Sequence, residues 1–121
     1  MLVKVNSTPR IYFRQLLEFL SPLPPFSSLN NMEKAVFSEL LYFSYLSKEL
    51  NVEDKVNFIF KQNKQKMLFN LGIPKGTFDN QLYTLRKKGL LMGKEINPKY
   101  NLSIDSTITI NFNMSKDENR R

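Results

Sequence analysis

The 121-residue chain has no cysteine, no histidine and no tryptophan. Without thiols or imidazoles it has no disulfide framework, no zinc-finger ligand set, no thiol nucleophile and no imidazole base. No run of 18 apolar residues occurs, so no transmembrane helix is expected. The first residues, MLVKVNSTPR, lack the apolar core of a secretory signal, and a cytoplasmic protein is expected. Carboxylates are scattered, with no pair at a catalytic spacing, and there is no Gly-rich phosphate loop. No enzyme activity, catalytic residue, metal or cofactor is therefore expected.

What is present is an ordinary globular composition, 41% hydrophobic and 24% charged, with a net charge of +7. That charge is localised. Residues 1–60 carry six basic and six acidic side chains, and residues 101–121 carry three of each. Residues 61–100 carry nine basic side chains against two acidic ones, Asp79 and Glu95, and so hold the whole excess. A block of one sign raises the local potential and attracts a polyanion. A solvated basic face is the plainer alternative.

The pattern of elements reads as follows. Residues 2–5 suggest a short strand or a frayed end. Thr8-Pro9 opens a helix with Ile11, Phe13, Leu16, Leu17 and Leu20 at helical spacing, stopped by the prolines at 22, 24 and 25. A second helix spans about 31–49, capped by Asn30 or Asn31, with Glu33 at its positive end. Its apolar residues lie on most sides, so it is covered on most sides, by the rest of the domain or by a second copy of the chain. After an acidic turn at 51–54, Val56–Phe60 reads as a core strand. A third helix (about 63–70) ends at Gly72, and a fourth runs from Lys75 to Lys88 before Gly89. Leu90–Met92 reads as a strand and 93–105 as a loop with local pairing. Thr107–Phe112 alternates apolar and polar, as in a half-buried strand. The polar tail, 114–121, is expected to be disordered.

The fourth helix has two unlike faces. With about 100° per residue, Phe78, Leu82 and Leu85 form one apolar stripe. Gly76, Asn80, Tyr83 and Lys87 lie opposite, flanked by Thr84 and by Asp79. A helix of this kind suits a major groove: Asn can pair with adenine N6 and N7, Tyr and Thr can reach phosphates or a thymine methyl. Lys75 and Thr77 stand at the N-terminal end, where recognition helices meet bases or phosphates. Lys87 suits a phosphate. Asp79 repels phosphate and is expected to pair with the N-terminal turn or with Arg86. Lys61, Lys64 and Lys66 are phosphate contacts or solvated. Lys94 and Lys99 follow in the hairpin region.

The segment from Lys64 to Leu91 resembles a winged helix-turn-helix. The likeness rests on Leu71-Gly72-Ile73, three residues, Thr77-Phe78, and on Leu82, two residues, Leu85-Arg86-Lys87-Lys88-Gly89-Leu90-Leu91. Ile96-Asn97-Pro98-Lys99-Tyr100 is similar to a segment near the wing of phage and plasmid replication-initiator-like members. The resemblance covers about 31–113; Pro74, where the family has a Ser or Thr cap, and Gly76 depart from it. It implies a mainly α fold with a small antiparallel sheet, organised as a winged helix-turn-helix (30–113) behind an N-terminal extension with an extra helix (1–29). It also implies binding of double-stranded DNA in transcription regulation or replication control, in a bacterial or phage-infected cell. Lys64, Lys66, Lys75, Gly76, Thr77, Asn80, Tyr83, Thr84, Lys87, Lys94 and Lys99 are then the candidate DNA contacts. Residues 9–20 and 31–49 would serve a homodimer or a protein partner. The alternative is a winged-helix protein–protein module in a larger assembly, a phage particle or a polymerase complex, with no specific DNA site. No membrane partner is expected.

Overall fold

Residues 9–102 are described by the computed structural model. The N-terminal strand or frayed end expected at 2–5, the strand expected at Thr107–Phe112 and the tail at 114–121 lie outside them.

Helix α1 spans Pro9–Leu20, and its apolar spacing buries Phe13, Leu16 and Leu17. The Pro-rich connector then makes one 3-10 turn, Phe26–Ser28, and sends Phe26 and Leu29 into the core. Helix α2, Asn31–Leu46, is the centre of the molecule. It starts with a capping box: the Asn30 side chain accepts from the Glu33 N–H and Glu33 accepts from the Asn30 N–H, each at 2.8 Å. Val36, Phe37, Leu40, Leu41 and Phe43 are buried along it. Helix α1 covers one side of α2 and α5 (Lys75–Lys87) another. The single chain thus buries most of the apolar residues that made α2 look broadly covered, and Phe13, Leu17, Phe26 and Leu29 belong to the same core as the rest, while Leu16 packs with Tyr12, Leu20 and Leu102. Glu39, also buried on α2, is held by Arg10, whose guanidinium lies 4.3 Å from the Tyr42 ring centroid.

The strand expected at Val56–Phe60 is helical instead. Helix α3, Val52–Asn57, begins where Asn51 Oδ1 accepts from the Asp54 N–H at 2.8 Å, and Glu53 and Asp54 occupy its positive end. It widens into a π turn, Phe58–Gln62, that keeps Ile59 in the core. The Asn63 Nδ2 donates to the Phe58 carbonyl at 2.8 Å and supports that turn. Local β preference yields here to the cap and to packing against α2. The acidic 51–54 stretch is accordingly a helix start rather than a free turn, and α2 ends at Leu46, earlier than expected.

Helices α4 (Lys64–Leu71) and α5 end alike. At Gly72 (φ +67°) the N–H of Ile73 reaches back to the Leu68 carbonyl at 3.3 Å. At Gly89 (φ +85°) the N–H of Leu90 reaches back to the Leu85 carbonyl at 3.0 Å. Both are Schellman closures, which need a left-handed residue and so favour glycine. Beyond Gly89, strands β1 (Leu91–Met92) and β2 (Glu95–Ile96) pair antiparallel, Leu91 opposite Ile96 and Met92 opposite Glu95. Asn97 then ties the hairpin down: its N–H donates to the Leu90 carbonyl and its Nδ2 to the Gly89 carbonyl. A 3-10 turn, Pro98–Tyr100, sets the Tyr100 ring edge-on to Phe26, 5.7 Å between centroids. The described chain is thus mainly helical with one small two-stranded antiparallel sheet.

Candidate nucleic-acid interface

The two faces of α5 are separated as its spacing requires. Phe78 and Leu85 are fully buried and Leu82 nearly so, packed against α2 and β1. The opposite row, Gly76, Asn80, Tyr83 and Lys87, is exposed from one end of the helix to the other. Apart from the adjoining residues and the helix's own backbone, nothing lies within 4 Å of where a Cβ would stand on Gly76, so this end of the row is open to an approaching surface. Lys87 Nζ sits 5.3 Å from the Tyr83 ring centroid, a cation–π contact that holds the two side chains together on the outside.

The flanks of α5 are occupied by ion pairs. On one side Asp79 takes Lys64 of α4 at 2.9 Å and Lys75 of α5 at 3.0 Å. It does not pair with Arg86, the other partner suggested by sequence; Arg86 donates to the Gly93 carbonyl at 3.2 Å. Hydrogen bonds from Lys64 and then Lys75, with their charges, hold the Asp79 carboxyl below its ordinary range against a smaller opposing effect of burial. On the other side Lys88 Nζ donates to Glu33 Oε1 at 2.7 Å and to the Ser28 carbonyl at 2.6 Å. Burial would raise the Glu33 carboxyl. Hydrogen bonds from Lys88, the Asn30 N–H and Thr84, with the Lys88 charge, outweigh it and keep the carboxyl below its ordinary value. Thr84 is half-buried, and its hydroxyl lies between the Gln81 carbonyl, 3.0 Å away, and the Glu33 carboxylate, donating to one or the other, so it faces α2 rather than the outer row. Thr77 is half-buried as well.

The basic block divides accordingly. Lys64, Lys75 and Lys88 are paired with carboxylates, and Arg86 donates to a backbone carbonyl, which leaves its charge uncompensated. Lys61, Lys66, Lys87, Lys94 and Lys99 are exposed, with no carboxylate among the described residues at ion-pair distance. These five flank or lie on α4, α5, the hairpin and the turn after it. Lys94 stands at the rim of a cavity of about 170 Å³ between α2, α3 and the hairpin, walled by Leu40, Val56, Ile59, Leu91 and Ile96. At the α4–α5 turn, Phe69 is 85% exposed, beside Leu68, Ile73 and Pro74 in a shallow groove.

Sequence spacing anticipated the outer row and, as one of two alternatives for Asp79, a partner in the N-terminal turn, where Lys75 stands four residues before it. It missed the roles of Lys88 and Glu33, 55 residues apart, because nothing local links them. Among the described residues no group of three potential metal ligands occurs, and no helix is long and apolar enough to cross a membrane. No protein-family model matches the chain, and neither the curated proteins nor the solved structures contain a detectable relative.

Proposed function

We propose that this protein binds double-stranded DNA in a sequence-dependent way, as a winged helix-turn-helix acting in transcription or replication control. The observation that carries the reading is the continuous exposed row of α5, Gly76–Asn80–Tyr83–Lys87, opposite a buried apolar stripe. Helix α5 would enter the major groove. Asn80 would read an adenine edge, and Tyr83 and Lys87 would contact base or backbone. Lys66 and Lys61 near α4, and Lys94 and Lys99 at the hairpin, would neutralise phosphates to either side.

The test is selection of preferred duplexes followed by binding of two variants. Asn80→Ala should lower the discrimination between the selected duplex and mixed sequence by about 1–3 kcal/mol. Lys87→Gln should weaken every duplex alike and reduce the slope of log affinity on log salt by about 1. Unchanged preference in Asn80→Ala removes α5's outer row as the reading surface.

A protein partner is the second reading, and Phe69 favours it. An aromatic ring 85% exposed beside Leu68 and Ile73 is apolar surface that a partner would cover. Under that reading Phe69→Ser abolishes partner binding, and substituting Lys87 and Lys99 leaves it intact.

A further inference from the structure

Among the described residues Asp79 is the one carboxylate on the α4–α5 flank of the basic block, and it takes two lysines from two helices. Lys64 comes from the first turn of α4 and Lys75 from the first turn of α5; one Asp79 oxygen receives each, at 2.9 and 3.0 Å. The Lys64 side chain is 20% exposed and the Asp79 side chain 42%, so the cluster lies at the surface but is not freely solvated. Asp79 directly precedes Asn80 and lies one turn before Tyr83 on the same helix. The Lys75 side chain is the most exposed of the three, at 67%, so a phosphate arriving here meets an ammonium group whose charge Asp79 already offsets, with Lys64 behind it.

We propose that Asp79 is a selectivity residue of the DNA-binding face: it neutralises Lys64 and Lys75 so that they contribute little to binding of arbitrary duplex. The inference rests on the duplex-binding reading above. Its physical content is a trade between phosphates. A phosphate held in register by the rest of α5 can displace the carboxylate from one or both lysines, because its other contacts are already made. A phosphate in a loose, out-of-register encounter exchanges one ion pair for another, with carboxylate–phosphate repulsion added. Non-specific affinity, which is almost wholly electrostatic, therefore loses more than specific affinity does.

The experiment uses the full chain and a mixed-sequence duplex, with affinity measured by fluorescence anisotropy across a salt series. Each lysine freed to neutralise a phosphate steepens the slope of log affinity on log salt by about 0.9, roughly eightfold in affinity at 0.1 M salt. Asp79→Asn should therefore bind about eight- to sixtyfold tighter at 0.1 M salt, with a slope steeper by about 1–2, as one or both lysines are freed. Lys64→Met, with Asp79 in place, should leave the slope nearly unchanged; in the Asp79→Asn background the same substitution should remove about 1 from it. If Asp79 served only to hold α4 against α5, its loss would loosen the surface and weaken binding, the opposite sign.

Wild-type binding with a clear salt slope, together with an unchanged or weaker Asp79→Asn, overturns the role of Asp79 and leaves the duplex reading standing. So does a Lys64→Met protein whose slope falls by about 1 while Asp79 is present. Lys64→Met keeps the aliphatic stem and decides the matter alone if circular dichroism finds Asp79→Asn unfolded. Absence of duplex binding by every protein at low salt overturns both readings together.

Discussion

Replacing Lys88 by Met tests whether the far end of α5 is fastened to the start of α2 by charge. Met keeps most of the aliphatic stem and removes the ammonium group, so packing is nearly conserved. The ammonium lies 2.7 Å from Glu33 Oε1 and 2.6 Å from the Ser28 carbonyl. The Glu33 side chain is 3% exposed, so after the substitution its charge is buried without a counter-charge. Breaking a buried pair from one side costs about 3–5 kcal/mol. Two features reduce that here: Lys88 is itself 30% exposed, and Glu33 keeps the Asn30 N–H and Thr84. We expect a loss of about 2–3 kcal/mol at pH 7, read as the shift in urea unfolding free energy. The pH dependence supplies a sign. The Glu33 carboxyl is held below its ordinary value of 4.5 in the folded chain, so its contribution is complete above that value. The contribution disappears as pH falls through the lowered folded value. Without Lys88, burial pushes the same carboxyl upward, and protonation relieves the buried charge. The gap between variant and wild type should therefore narrow on acidification toward pH 4, and Glu33→Gln added to Lys88→Met should recover part of the loss at pH 7. A loss below about 0.5 kcal/mol at pH 7, typical of an exposed pair, would refute the reasoning, as would a gap that widens in acid.

Two further perturbations probe the frame that carries α5. Phe37→Ala empties a fully buried site on α2 and should destabilise the fold by about 3–5 kcal/mol in urea unfolding. Gly72→Ala meets no steric neighbour, yet it forces a Cβ into a backbone at φ +67°; a loss of about 1–2 kcal/mol in thermal unfolding is expected.

Periodicity and end signals made much of this architecture readable from the residues. The stripe Phe78–Leu82–Leu85 announced both the burial of α5 and its outward row. Asn30 with Glu33 three residues later is the spacing of a capping box. Gly72 and Gly89 marked two helix ends that need a left-handed residue. The 56–60 segment misled because Val, Phe and Ile favour a strand only if a sheet is there to receive them; here α2 receives them on a helical surface. The competing signal was present in Asn51 and Asp54, whose spacing is that of a helix cap. The ion pairs that organise the flanks of α5 were half legible. Lys75 and Asp79 are one helical turn apart, whereas Lys64–Asp79 and Glu33–Lys88 join different helices and depend on how those helices meet. So the outer row was visible early, and the division of the basic block into paired and free cations was not.

The most direct measurement is titration of the purified full chain into mixed-sequence duplex DNA at several salt concentrations, followed by fluorescence anisotropy. Lys61, Lys66, Lys87, Lys94 and Lys99 are exposed and without a carboxylate partner among the described residues, and together they contribute at most about −4.5 to the slope of log affinity on log salt. A slope between about −2 and −4.5 is expected for a face that places most of them against phosphates. Failure to bind duplex at 50 mM salt, or binding whose affinity is flat in salt, would contradict a nucleic-acid role for this face and leave the exposed Phe69 groove as the surface to pursue.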